Sequence, residues 1–130
     1  MKIILFAFLV CAIISCKEPR YVKKFEMVDI SKSTIPDTTL NLEYLEIRAK
    51  AQADNKCWKD LYFELKKSSD TSDFEYSLRA YGTYESFGVC DAVIVTKDTA
   101  ILFQPTQKGT YLFHISTMPN KIVTDTMIVE

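Results

Sequence analysis

The sequence predicts an all-β chain, an antiparallel sandwich or a small barrel, and three observations carry that expectation. Apolar and polar residues alternate with period two along most of the chain beyond residue 24, as in strands with one buried face. Seven or eight such segments are short and are separated by Ser-, Asp-, Pro- or Gly-containing turns, the pattern of packed sheets. Composition agrees: 48% of the 130 residues are hydrophobic and 25% are charged, which suits one core and leaves no length for two. Sixteen Lys and Arg against seventeen Asp and Glu leave no basic excess, so a nucleic-acid partner is not expected.

The chain starts with an address. Met1-Lys2 supplies a positive start, and Ile3 to Ile14 follows without a charged side chain. That run matches the apolar core of a secretory signal and falls short of the ~20 residues that span a bilayer. It ends Ile13-Ile14-Ser15-Cys16, which resembles the lipobox of bacterial lipoproteins. The resemblance implies that the Cys16 thiol receives a diacylglycerol, that residues 1–15 are removed, and that acyl chains hold the product at a membrane, at ~0.8 kcal/mol per buried methylene. Lys17 stands where enteric inner-membrane lipoproteins carry aspartate, so outer-membrane delivery is implied. Lys17-Glu18 also looks like the start of a Bacteroidota surface-export signal, which Pro19 and Arg20 then break, so the side of the membrane stays open. Lys17 to Pro19 forms a tether of ~10 Å. The basic residues Lys17, Arg20, Lys23 and Lys24 read as a solvated strand face in preference to a phosphate contact.

With Cys11 discarded and Cys16 lipidated, Cys57 and Cys90 remain, and an exported pair is expected to be bridged. Their spacing excludes a Cys-x-x-Cys knuckle, and a single histidine cannot complete a usual zinc set.

The strands read in order as follows. Phe25 to Ile30 is a candidate first strand, and Ser31 to Thr39 reads as a Ser/Thr/Pro loop. Leu40, Leu42 and Tyr44 alternate with polar residues; Leu45, Ile47, Ala49, Ala51 and Ala53 then alternate one step out of phase, the mark of a β-bulge. Leu, Glu, Arg, Lys and Ala also favour a helix over Leu40 to Ala53, but sustained alternation favours a strand. Leu61, Phe63 and Leu65 alternate with Tyr62, Glu64 and Lys66, and Ser68 to Asp73 is a polar turn. Phe74, Tyr76, Leu78 and Ala80 alternate with Glu75, Ser77, Arg79 and Tyr81, and Ala92 to Val95 reads as a short strand. Ile101 and Phe103 precede Pro105, which lacks the N–H needed to continue a ladder. Tyr111, Phe113 and Ile115 form the next strand, Met118 to Lys121 turns the chain, and Ile122 to Val129 closes it.

Gln107-Lys108-Gly109-Thr110-Tyr111-Leu112-Phe113 resembles the start of strand F in immunoglobulin-like domains, where a tyrosine hydroxyl reaches back to the backbone. Cys57-Trp58, Gly88-Val89-Cys90, Pro105 to Tyr111 and Asp125-Thr126-Met127-Ile128-Val129 look like the small immunoglobulin-like domains of Bacteroidota envelope lipoproteins. The resemblance implies an immunoglobulin-like antiparallel β-sandwich of about seven strands, preceded by a lipoprotein signal peptide. The division is then 1–15 signal peptide, 16–39 lipidated cysteine, tether and first strand, and 40–130 sandwich domain. Trp58 directly follows Cys57, unlike the antibody pattern, so a Cys57–Cys90 bridge would pin the start of one strand to a later loop.

No nucleophile elbow, P-loop, zinc motif or dinucleotide fingerprint occurs, and neither an enzyme nor a cofactor is expected. His114 alternates away from the apolar positions of its strand, and Asp54, Asp60, Asp70, Asp73 and Asp91 lie near loops without the spacing of a calcium motif. Trp58, Tyr62, Tyr81, Tyr84 and Phe87 cluster around the two cysteines. They would shield the disulfide, or would form a binding surface for an envelope protein or a glycan. The leading functional expectation is a non-enzymatic, outer-membrane-anchored lipoprotein that presents its domain for protein contacts, facing periplasm or cell surface. A carbohydrate-binding module and a small inhibitor of a protease or lysozyme are the alternatives.

Overall fold

Eight strands and no helix occur among the described residues, 20–118 and 120–130 of the computed structural model. The expected signal peptide 1–15, Cys16, the tether Lys17–Pro19 and Pro119 of the last turn lie outside the described residues. The strands are β1 (Val22–Thr34), β2 (Thr38–Thr39), β3 (Leu45–Ala53), β4 (Trp58–Lys67), β5 (Glu75–Ser86), β6 (Val95–Phe103), β7 (Gly109–Met118) and β8 (Lys121–Val129). The all-β expectation holds.

β5 organises the sheet. One of its edges carries β4, antiparallel. The other edge is divided: Glu75 to Leu78 pair with β7 in parallel, and Ala80 to Ser86 pair with Val22 to Val28 of β1 in antiparallel fashion. From Asp29 onward β1 pairs instead with β3, which pairs with β6 through nine consecutive residues from Leu45↔Phe103 to Ala53↔Val95. β7 and β8 form an antiparallel hairpin, and β2 adds a short parallel rung to the end of β8. The sheet therefore curls, with β3 and β6 brought over β4. Two of the seven pairings are parallel, so the sheet is mixed where the sequence predicted an antiparallel one. The reason is topological. The chain leaves the end of β5, runs back along β6, and enters β7 beside the start of β5, so β5 and β7 must point the same way.

The core fills the space inside this curl. β3 buries Ile47, Ala49, Ala51 and Ala53 on one face, and β7 buries Tyr111, Phe113 and Ile115. Leu61, Leu78, Ala80, Phe103, Met127 and Val129 complete the cluster with Val28, Ile30 and Ile35. At one end the filling is aromatic: Tyr76 lies 4.9 Å from Phe103 and 5.8 Å from Phe113, and Phe74 lies 5.2 Å from Tyr111, by ring centroids. At the other end the residues are small. A Cβ added to Gly82 would stand 2.5 Å from Leu61 Cδ2 and 3.2 Å from Trp58 Cε3, so glycine leaves room for side chains of the adjacent strand β4, whose register shifts opposite it.

The expected tyrosine corner is present. The Tyr111 hydroxyl accepts the backbone N–H groups of Thr106 and Gln107, each at 3.2 Å, and donates to the Gln107 carbonyl at 2.9 Å. Gly109 takes the turn at φ +147°, with Phe74 Cε1 2.5 Å from where a Cβ would be. Any side chain there meets both a backbone penalty and a ring.

Four segment boundaries differ from expectation. The strand read at Phe25–Ile30 runs from Val22 to Thr34, absorbing half of the predicted Ser/Thr/Pro loop, and it pairs on both sides of the curl. Folded structure thus begins well before residue 40. Leu40 to Tyr44 is exposed loop, not strand. In the register of β3 and β6 its residues would face Gln104 and Pro105, and proline cannot bond the ladder; Gln104 Nε2 instead donates to the Leu42 carbonyl at 3.1 Å. Ala92 to Ile94 is loop and only Val95 joins β6, because the backbone there is held by Lys56 N donating to the Asp91 carbonyl at 3.0 Å. The bulge expected near Tyr44 is absent; register shifts fall between Ile30 and Lys32, Lys59 and Tyr62, and Ser116 and Met118.

Two outcomes test this account. Tyr111→Phe strands two backbone donors and one acceptor, so it should lower unfolding free energy by about 1–3 kcal/mol, read by chemical denaturation. Asp29 sits where β1 leaves β5; its Oδ1 is buried without a hydrogen-bond partner, and burial raises its pKa. The native state therefore holds this proton more tightly than the unfolded chain, and stability falls as pH rises through the raised value. Asp29→Asn should be more stable than wild type at neutral pH, with the advantage vanishing below the ordinary carboxylate range in thermal melts.

Candidate interaction surface

Whether an aromatic on these strands ends inside or outside is decided by one extra residue in β4. Trp58 and Lys59 stand opposite Tyr84 and Thr83, but the next pair is Tyr62 opposite Tyr81. Asp60 occupies the left-handed region at φ 53°, which aspartate tolerates better than most residues. Without this bulge Tyr62 would share the inner side of Trp58. With it, Leu61, Phe63 and Leu65 turn inward and Tyr62 turns out.

The five aromatics singled out in sequence accordingly separate into three groups. Trp58 and Tyr84 face inward at the disulfide end, with ring centroids 5.4 Å apart in an edge-to-face contact. Trp58 Nε1 donates to Asp54 Oδ1 at 3.1 Å, and the Tyr84 hydroxyl lies 3.2 Å from Cys90 Sγ. The Cys57–Cys90 disulfide is formed, with Cα atoms 5.4 Å apart, and it fastens the start of β4 to the loop between β5 and β6. Lys24 Nζ stands 5.2 Å above the Tyr84 ring, within cation–π range.

Tyr62 and Tyr81 lie on the outer face, and there they meet Phe25 of β1. The three centroids are 5.5 to 5.8 Å apart and the ring planes differ by 14 to 30°. Phe25 is 55% and Tyr62 42% exposed, so this stack is an exposed aromatic step on the outer face. Phe87 belongs to neither group: it projects from the loop after β5 and packs on Tyr21 at 4.9 Å. Glu85 accepts the Tyr21 hydroxyl at 2.6 Å and pairs with Lys59, tying the start of β1 to β4 and β5.

Phe25 and Tyr21 were missed by sequence reading, which placed Phe25 at the start of a candidate strand and gave Tyr21 no role. Period two gives no signal here, since Tyr21, Lys23, Phe25 and Met27 and their neighbours Val22, Lys24, Glu26 and Val28 each mix apolar and charged residues.

Beyond the aromatic step, along the same face, runs a groove of about 310 Å³ lined by Glu64, Lys66, Ser77, Arg79, His114 and Ile122 among others. Glu64 bonds Lys66 at 2.6 Å and holds the Lys66 ammonium above its ordinary pKa. Arg79 Nε donates to Ser77 Oγ at 3.2 Å. His114 lies on the outer face, as its alternation implies; Nδ1 is 3.1 Å from Thr124 Oγ1 and Nε2 is 3.8 Å from Glu75. Those contacts tie β7 to β8 and β5. Among the described residues no three His, Cys, Asp or Glu side chains gather as metal ligands. The face thus joins an exposed aromatic step to a mixed-charge groove, which can offer ring edges, hydroxyls and paired charges to another surface.

Comparison with known protein families, curated proteins and solved structures finds no match for this chain.

Removing the bridge with Cys57→Ser and Cys90→Ser should cost about 3–4 kcal/mol on the chain-entropy estimate. It should also change the fluorescence of Trp58, the sole tryptophan, which packs beside it. Unfolding curves with and without reductant, followed by that signal, measure both.

Proposed function

We propose that this chain is a non-enzymatic lipoprotein of the bacterial envelope, anchored at the outer membrane through Cys16. Its immunoglobulin-like domain uses the outer face of β1, β5 and β4 to contact another protein. The lipobox-like run Ile13 to Cys16 and the disulfide, which needs an oxidising compartment to persist, support the address. The hydrogen bonds of Tyr111 support the immunoglobulin-like assignment.

The observation that carries the contact function is the stack of Phe25, Tyr81 and Tyr62. Aromatic side chains of this size are worth most when buried, yet the bulge at Asp60 sends Tyr62 outward. Tyrosine in particular supplies rigid apolar area with a polar tip, the combination enriched in protein interface hot spots. A sugar stacks on an open ring face. Near-parallel rings with centroids 5.5 to 5.8 Å apart overlap only at their edges, and Phe25 and Tyr62 stay 55 and 42% exposed, so a glycan stacked on these rings is the second reading.

Phe25→Ala with Tyr62→Ala should leave the fold intact, because both side chains lie outside the core. The pair should remove a partner captured by cross-linking the wild-type chain in native membranes. Loss of one hot-spot residue costs about 2 kcal/mol, or about thirtyfold in affinity. Adducts of equal yield from wild type and variant, or none from either, would overturn the proposal.

A further inference from the structure

The pole of the domain where β1 begins exposes apolar side chains that no strand covers. Phe87, Val89, Val93 and Ile94, in the loop between β5 and β6, are 68, 87, 49 and 58% exposed. Tyr21 lays its ring on Phe87. Fully burying a large apolar side chain is worth about 1.5–3 kcal/mol, so a loop of this composition in water forgoes a substantial stabilisation. It is also prevented from folding back. Cys90 is bridged to Cys57, and the Asp91 carbonyl accepts the N–H groups of Lys56 at 3.0 Å and Val93 at 2.8 Å.

The course of the chain says what covers this pole. Arg20 is the first described residue, and Cys16 lies four positions before it. Four residues reach at most about 14 Å. A lipid on Cys16, or the apolar run Ile3 to Ile14 itself, would therefore hold this pole within reach of a bilayer. Charge permits the approach. Glu85 is paired with Lys59 and Asp91 stands near Lys56, while Arg20 and Lys23 have no ion pair among the described residues. Tyrosine beside lysine and arginine suits the headgroup level, where an aromatic body is buried and a cation stays wet. Nearby acids and bases are about balanced, so apolar contact supplies the driving force.

We infer that the disulfide-pinned loop Phe87–Ile94, together with Tyr21, docks on the lipid surface and enters its interfacial layer, fixing the orientation of the domain on the membrane. This rests on the membrane anchoring proposed above and adds a docked face to it. Leu40, Leu42 and Tyr44 are also exposed, but they lie beyond the far end of the thirteen-residue β1, about 40 Å of strand away. They provide the control.

The test uses the full chain carrying Val89→Trp or Leu40→Trp, in vesicles of phosphatidylethanolamine and phosphatidylglycerol that contain lipid with a nitroxide near the top of the acyl chain. Wild type, with Trp58 alone, supplies the common background, and unchanged melting temperatures show that both variants fold. The tryptophan at position 89 should shift to the blue and lose emission to the nitroxide; the one at position 40 should emit as in water. A chain that stays with the membrane while both probes emit as in water overturns the docked face and leaves the anchoring intact. A chain found unmodified at Cys16 by mass spectrometry and released from membranes overturns the anchoring and the docked face with it.

Discussion

β5 has a single free edge to divide between two strands, and the whole architecture follows from how it is divided. β7 occupies that edge from Glu75 to Leu78 and β1 occupies it from Ala80 to Ser86. Because β1 runs antiparallel, it meets the end of β7 as it passes Val28 and cannot continue along the same edge. It leaves, and Ser31 marks the departure: an extra residue in the ladder whose hydroxyl donates to the Lys50 carbonyl at 3.2 Å. Leaving takes β1 into register with β3, and β3 brings β6. The inner face of the curl is created by that diversion, and Val28 and Ile30, both buried, sit on either side of Asp29. An unpartnered carboxylate oxygen in that position is a cost accepted where the backbone must change partners, since burying an ionisable group without a partner is unfavourable.

The two ends of the curl are stabilised by different means. At the Tyr111 end, large rings fill the space and a hydroxyl satisfies three backbone groups. At the Trp58 end the interior positions Ala49, Ala51, Ala53, Ala80 and Gly82 are small, so each buries less apolar area. There the covalent bridge between Cys57 and Cys90 takes over part of the task by restricting the unfolded chain.

This explains how much was legible in the sequence. Period-two alternation identified β3, β4, β5 and β7, because burial on one face of a strand acts directly on every second residue. Tyr111 was legible because its role needs only local chain, from residue 106 to 111. The disulfide was legible because the lipobox-like reading of Cys16 leaves Cys57 and Cys90 as the one remaining pair. Parity across a bulge was not: Trp58 and Tyr62 are both at even positions, yet they face opposite sides, and nothing local to β4 announces Asp60 as the extra residue. The failure at Leu40–Tyr44 has the same character. Those residues alternate correctly, but a strand needs a partner, and the partner is removed by Pro105, sixty residues away. The outer aromatic step was therefore half visible, since two of its three rings were named while the third waited on the pairing of β1.

The division of β1 also constrains how the two surfaces proposed for this chain relate. Tyr21 belongs to the pole and Phe25 to the aromatic step, and four residues of extended strand separate them by about 13 Å. Tyr21 immediately precedes β1, and its hydroxyl bonds Glu85, which alternates with Tyr81 and Thr83 on the outer side of β5, so Tyr21 lies on the side of Phe25. With Tyr21 at the level of lipid headgroups, the step formed by Phe25, Tyr81 and Tyr62 would stand just above them, facing along the membrane and not away from it. A large body free in solution would meet the bilayer before it met those rings. A protein held at the same membrane would approach from the side and reach them unobstructed. On the proposed anchoring, the position of one strand relative to Cys16 would thus select a class of partner without any residue of the step touching lipid.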